Sequence, residues 1–158
     1  MNNMEVVSIG KVEKQDGESV IVLDKKYAKG LKGLQGFGYV QVLWWMHECD
    51  NERDRSMLVE EKPYVTGPEE LGVFAIRSPE RPNPVAVSNA GITYIDEENG
   101  VIGLTYIDAN GGSPVIDLKP YMPSIDRVKQ PVVPNWCSHW PQSVEESGTF
   151  DWEAEFNF

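Results

Sequence analysis

Apolar residues in this chain fall mostly in short alternating or β-branched runs, and helical periodicity is rare. Glu5 to Val12 (EVVSIGKV) and Ser19 to Leu23 (SVIVL) flank the turn sequence Gln15-Asp16-Gly17, so the pattern predicts an opening β-hairpin. Lys25 to Leu34 (KKYAKGLKGL) sets Tyr27, Ala28, Leu31 and Leu34 at helical spacing, weakened by Gly30 and Gly33, and predicts one short helix. Gly38 to His47 (GYVQVLWWMH) is rich in Val, Tyr and Trp and predicts a central strand buried on both faces. Gly72 to Arg77 (GVFAIR) reads as a further strand that stops at Ser78-Pro79. Asn89 to Ile95 and Val101 to Ile107, joined by Asp96-Glu97-Glu98-Asn99-Gly100, form the clearest hairpin. Many short strands with hardly any helix predict a mainly β fold. A small single-domain β-barrel, closed or partly closed, removes the edges that such strands otherwise expose.

Prolines at 114, 120, 123, 131, 134 and 141 forbid long regular elements after Gly111 and predict a Pro-rich C-terminal segment wrapped around the barrel. The stretch from Pro141 mixes Phe150, Trp152, Phe156 and Phe158 with Glu145, Glu146, Asp151, Glu153 and Glu155. The two-residue spacing of its apolar positions predicts an edge strand, on its own barrel or on a second copy. The chain thus divides into a barrel domain, residues 1–140, and an acidic aromatic tail, residues 141–158.

Composition narrows the function classes. A chain of 158 residues, 41% hydrophobic, fits one domain with a real core. Its 14 basic and 25 acidic side chains leave a formal charge of −11, the wrong sign for unaided attraction to phosphate, which disfavours a naked nucleic-acid-binding module. No apolar run is long enough for a membrane span, and the start MNNMEVVSIGK lacks the apolar stretch of a signal peptide, so the expected address is the cytoplasm, with no membrane partner. Cys49 and Cys137 are too few and too far apart for a disulfide framework and read as reduced thiols. The chain carries neither G-x-G-x-x-G nor a Walker sequence, which excludes a doubly wound nucleotide fold.

Three clusters bear chemistry. FAIRSPERPNPVAVS, Phe74 to Ser88, packs Arg77, Arg81, Asn83 and three prolines between apparent strands. Such a stiff loop either clamps a carboxylate, phosphate or amide, or pairs its arginines with neighbouring acids. In DANGGSPVIDLKPY, Asp108 to Tyr121, Asn110, Gly111 and Gly112 allow backbone amides to converge on one ligand atom, or they simply turn the chain. Asp117 and Lys119 share a strand face there, as an exposed ion pair or at a pocket mouth. All histidine and cysteine lies in His47-Glu48-Cys49 and Cys137-Ser138-His139. Brought together, the two pairs would suit tetrahedral zinc, but their spacing is shorter than zinc pairs ordinarily use, and no metal site is expected.

The run FAIRSPERPNPVAVS followed by DANGGSPVIDLKPYMPSID resembles the TsaA-like family, typified by the bacterial tRNA methyltransferase TrmO. The family counterparts read approximately F-A-T-R-S-x-x-R-P-N-P-I-G-x-S and D-x-x-D-G-T-P-V-x-D-I-K-P-Y-x-P. LQGFGYVQVLWWMH, Leu34 to His47, is similar to the family's L-E-G-F-S-H-L-x-x-L-x-x-F-H, so the similarity covers most of residues 5 to 127. The resemblance implies a small barrel that binds S-adenosylmethionine outside the Rossmann-type fold, with sites beside or across the interface of a homodimer. It implies methylation of the exocyclic nitrogen of threonylcarbamoyl-adenosine in tRNA, although the net charge disfavours tRNA as a partner. A non-catalytic S-adenosylmethionine-binding or protein-interaction module on the same barrel is the alternative. By position, His47, Glu48, Arg77, Val87, Thr105, Tyr106, Ile107 and Asp108 match cofactor contacts. Arg81, Asn83, Ser113, Lys119 and Tyr121 match motif positions of a substrate site or pocket. A carbamoylated N–H is a poor nucleophile, and Asp117 is the carboxylate proposed as its general base.

The sequence also departs from the family pattern. Only Glu13 to Glu18 separates the first two strands, where the family carries a longer Pro- and Arg-containing segment. Ile-Gly becomes Val85-Ala86, Asp-Gly-Thr-Pro becomes Gly111-Gly112-Ser113-Pro114, and the histidine after Gly-Phe-Ser becomes Tyr39.

Overall fold

Asp16 and Gly17 both take positive φ, 50° and 83°, and this left-handed pair closes a two-residue turn in which Gln15 faces Glu18. The turn joins β1 (Gly10–Gln15) to β2 (Glu18–Leu23) in the computed structural model, which describes residues 4–157. The remaining strands are β3 (Tyr39–Trp45), β4 (Val59–Glu61), β5 (Glu70–Gly72), β6 (Val85–Asp96), β7 (Val101–Leu104) and β8 (Pro114–Pro120). Six of them close a barrel in the order β1-β2-β7-β6-β3-β8, with every neighbouring pair antiparallel. β4 and β5 form a separate hairpin. The mainly β, closed-barrel expectation therefore holds.

The barrel interior is filled by alternate residues, among them Val12, Ile21, Val40, Val42, Ile102 and Val115, all effectively inaccessible to solvent. Leu31 packs into this core from one end, and Ile107 and Ala109 from the other. Gly10 has no room for a side chain, because a Cβ there would run into the backbone of Val22 and Leu23 on the paired strand.

Several boundaries differ from the sequence reading, each for a physical reason. The first strand starts at Gly10, not Glu5, because the paired register with β2 and β8 begins there, after the Ile9 amide donates to the Val115 carbonyl at 2.8 Å. The expected helix at 25–34 is a 3-10 segment, Lys25–Leu31, and the chain turns through Gly33 at a φ of 87°. β3 is not buried on both faces: Val40, Val42 and Trp44 point inward, while the residues between them face out, because a barrel wall has one interior side. Gly72 to Arg77 is not a strand; β5 ends at Gly72 and Val73–Ala75 coil into a 3-10 turn. The Pro-rich stretch does more than wrap the barrel, since β8 lies between β1 and β3 and closes it. Its two prolines occupy the first and last positions, where a missing donor costs the ladder least. β7 ends at Leu104, so residues 105–108 leave the sheet.

Among the described residues the aromatic tail forms no edge strand on the barrel. Its strand contact is one isolated bridge between Phe156 and Tyr64, and Val144–Ser147 make a single helical turn capped by Ser143. Tyr64, beside the β4–β5 hairpin, stacks on Trp136 at 5.2 Å, meets Trp140 edge-on at 5.0 Å and lies 5.8 Å from Phe156. Phe158, the last aromatic residue of the tail, lies outside the described residues. Among the described residues no helix is long and apolar enough to cross a membrane. Both cysteines are free.

Candidate functional site

β6 is longer than its neighbour. Its residues Ile92–Asp96 pair with β7, whereas Val85–Ala90 run on beside β3 alone. The chain leaves β7 through Thr105, whose amide donates to the Gly91 carbonyl at 2.9 Å, and loops through Asp108 and Asn110 before re-entering the barrel as β8. The overhang of β6 and this departing loop enclose a hollow of about 730 Å³, a size that suits a cofactor or drug-sized ligand.

The proline-stiffened arginine loop and the glycine-flanked aspartate loop both reach this hollow. Arg77, Asp108, His47, Glu48 and Val87 line it together. Ser113 and Arg81 also contribute to its wall, and Trp44, Ile76 and Ala86 supply apolar surface. His47–Cys49 form a 3-10 turn directly after β3, anchored where the Met46 amide donates to the Pro84 carbonyl at 2.8 Å. Trp44 donates its indole N–H to Ser88 Oγ at 2.9 Å.

The two arginines have different tasks. Neither pairs with an acid among the described residues, so the ion-pair alternative does not apply to them. Arg81 donates to three backbone carbonyls, Val73 at 2.7 Å, Ser78 at 3.3 Å and Ile76 at 3.4 Å, and so organises its own loop. Arg77 is exposed and turned to the hollow, a cation free to meet a carboxylate.

Other expected residues stand elsewhere. Ile107 is a core residue, 2% exposed. Thr105 sits against Gly91 in the wall, and Tyr106 projects to solvent; burial, then the neighbouring Asp108 carboxylate, pushes its phenol up from the ordinary value. None of these three lines the hollow. Asn83 accepts from Arg55 at 3.3 Å, and Tyr121 packs edge-on against Tyr39. Asp117 and Lys119 form a 2.7 Å ion pair on the outer wall, opposite Leu43 and Gln41, which is the exposed-pair alternative rather than the pocket-mouth one. The fold of a single chain therefore does not bring Asp117, Lys119, Tyr121 or Asn83 to the hollow.

The His and Cys pairs do not converge: among the described residues no group of three or more His, Cys, Asp or Glu is placed to hold a metal ion. Cys49 lines the hollow, but burial and then the acids Asp54, Glu80 and Glu48 push its thiol up, which favours the unreactive protonated form. Sequence reasoning missed Trp44 and Phe74 as lining residues. Phe74 had left a signal, as a large apolar residue at the head of the arginine motif.

A family model, the tRNA-methyltransferase O N-terminal domain, matches residues 8–127. The chain belongs to this family. The match runs through every residue that lines the hollow, and the aromatic tail lies beyond it. An S-adenosyl-L-methionine-binding protein of Archaeoglobus fulgidus is 38% identical over 115 residues, covering 73% of this chain and 77% of the relative. The tRNA (adenine(37)-N6)-methyltransferase of Escherichia coli is 29% identical over 116 residues, which span 72% of this chain and 48% of that protein. The crystal structure of TrmO from Pseudomonas aeruginosa shares the fold, with a TM-score of 0.64 at 23% identity. The similarity covers 83% of this chain and 62% of that one, so the chain spans less than two thirds of the solved structure's length.

Proposed function

We propose that the chain is an S-adenosylmethionine-dependent methyltransferase that methylates the exocyclic nitrogen of threonylcarbamoyl-adenosine in tRNA. The observation that carries this reading is the meeting of Arg77 and Asp108 on one hollow that Glu48 and apolar residues also line. The donor set fits the cofactor. Arg77 matches its carboxylate, Asp108 and Glu48 match its ammonium and ribose hydroxyls, and Trp44, Ile76 and Val87 offer apolar surface to its adenine. When bound, the cofactor supplies an electrophilic methyl group on a sulfonium.

The protein's contribution is orientation. A direct transfer needs the acceptor nitrogen in line with the methyl carbon, and rigid walls lower the entropic part of that barrier. Glu48 and Asp108 would also favour entry of a cationic cofactor into the hollow they line. The acceptor nitrogen must give up its proton, and Glu48, Asp108 and His47 are the titratable groups of this chain that face the hollow and can take it. Asp117 serves as the base only for a hollow on a second subunit.

The reading includes a cytoplasmic homodimer. Leu43 and Val87 pair in register on the outer wall, and Val87 is 42% exposed beside the hollow, so a second copy laid there would bury an apolar strip. The net charge does not exclude tRNA, and a lysine strip lies at the opposite end of the barrel from the hollow, where Ala28 packs against Gly100 of the turn after β6. Lys25, Lys26, Lys29 and Lys32 all stand exposed on and just after the 3-10 segment, without an ion pair among the described residues. A basic strip of this kind attracts phosphate over distances comparable to the Debye length, whatever the total charge.

The test is transfer of labelled methyl from S-adenosylmethionine to tRNA carrying threonylcarbamoyl-adenosine, read by mass spectrometry of the nucleosides. A methylated adenosine appearing with enzyme is the expected result. Tight cofactor binding without transfer would favour the binding-module alternative, and absence of cofactor binding by folded protein would end the methyltransferase reading and leave only a protein-interaction module.

A further inference from the structure

Phe74 stands 83% exposed on the rim of the hollow, although Val73 and Ile76 beside it are 1% and 5% exposed. The backbone that carries the ring is held in place. Val73 and Ile76 anchor the 3-10 turn in the interior, and the Val73 amide donates to the Leu58 carbonyl at 3.0 Å. On the other side the Arg81 guanidinium grips the carbonyls of Val73, Ile76 and Ser78, and Pro79, Pro82 and Pro84 stiffen the chain between the turn and β6. With Val73 buried on one side, Ala75 exposed on the other and Arg81 bracing the turn, the backbone fixes the place from which the ring projects. Phenylalanine has no polar atom, so its side chain offers a ligand a flat apolar surface.

We infer that Phe74 is the platform on which the acceptor's base stacks while its exocyclic nitrogen faces the methyl donor. This inference rests on the proposed function and adds a residue to it. A base presented to the hollow must leave its neighbours in the tRNA loop, and an aromatic side chain restores the lost stacking. Arg77, three residues further on, is turned to the same hollow, so one short loop would hold the cofactor by its cation and the acceptor by its ring. Ile125, Val128 and Val132 are as exposed, at 78%, 70% and 97%, but they are aliphatic and do not line the hollow.

The experiment compares wild type, Phe74→Ala and Phe74→Tyr in steady-state methyl transfer to tRNA. Each protein is also titrated calorimetrically with S-adenosylmethionine and sized in solution. Phe74→Ala is expected to raise KM for tRNA about 5- to 150-fold, the range that one base–aromatic stack supports. Cofactor affinity and molecular mass should match wild type, and Phe74→Tyr should restore KM. An active wild type with an unchanged KM in Phe74→Ala overturns the inference and leaves the proposed function standing. A parallel loss of cofactor affinity overturns it in favour of a cofactor contact, and a halved mass in favour of a subunit contact. A wild type that binds cofactor but transfers no methyl to tRNA overturns the proposed function, and the inference with it.

Discussion

The Asn110 side-chain amide donates to the Glu48 carboxylate across 2.9 Å, tying together two loops 62 residues apart in the chain. One loop follows β3 and the other precedes β8, so the bond bridges the mouth of the hollow and fixes where Glu48 points.

Removing that tie should loosen the cofactor site without unfolding the barrel. Asn110→Ala is expected to weaken S-adenosylmethionine binding about 3- to 10-fold, the scale of one exposed charge-assisted hydrogen bond. Asn110→Asp should weaken it more, because it sets a second carboxylate against Glu48. Calorimetric titration, with circular dichroism to confirm the fold, checks both.

The two arginines of the loop should separate affinity from stability. Arg77→Ala is expected to reduce cofactor affinity by about 10- to 100-fold with little change in Tm, since its guanidinium makes no ion pair among the described residues. Arg81→Ala should do the opposite first: three backbone carbonyls lose their donor, at a cost of roughly 1–3 kcal/mol. Thermal unfolding and titration of the two variants side by side decide the assignment.

Acid should loosen the tail. Hydrogen bonds from Trp140, at 2.9 Å, and from His139, at 2.8 Å, hold the Glu155 carboxyl below its ordinary value. A carboxylate lowered by folding stabilises the folded state fully at neutral pH, and that contribution is lost as pH falls through the lowered value. Fluorescence of Trp136, Trp140 and Trp152 should therefore change at a pH below that at which a free glutamate protonates. In Glu155→Gln this acid transition should disappear; if it persists unchanged, another group fastens the tail.

Much of the architecture could be read along the chain because its signals are local. Asp16-Gly17 can accept the left-handed turn that the first hairpin needs, and alternation through Val40, Val42 and Trp44 marks an inward face whichever strands lie beside it. The arginine and aspartate motifs were legible as chemistry for the same reason, since each is one continuous segment. The reading failed where a distant partner decides. Val73–Ala75 looks extended until Arg81 takes up the Val73 carbonyl, and Pro114 to Pro120 looks irregular until β1 and β3 flank it.

The amino-acid order alone determined the strand-rich barrel, the stiff loop with its arginines and the motifs that mark the family, because turn geometry, side-chain alternation and proline stiffness act within a few residues. Only the tertiary structure decided that Arg77 and Asp108 share a hollow, that Arg81 braces while Arg77 is free, that Asp117 turns to the outer wall and that Phe74 stands on the rim. Those outcomes depend on where β6 outruns β7 and on how the closed sheet sets loops far apart in sequence side by side, distances that spacing along a chain does not encode.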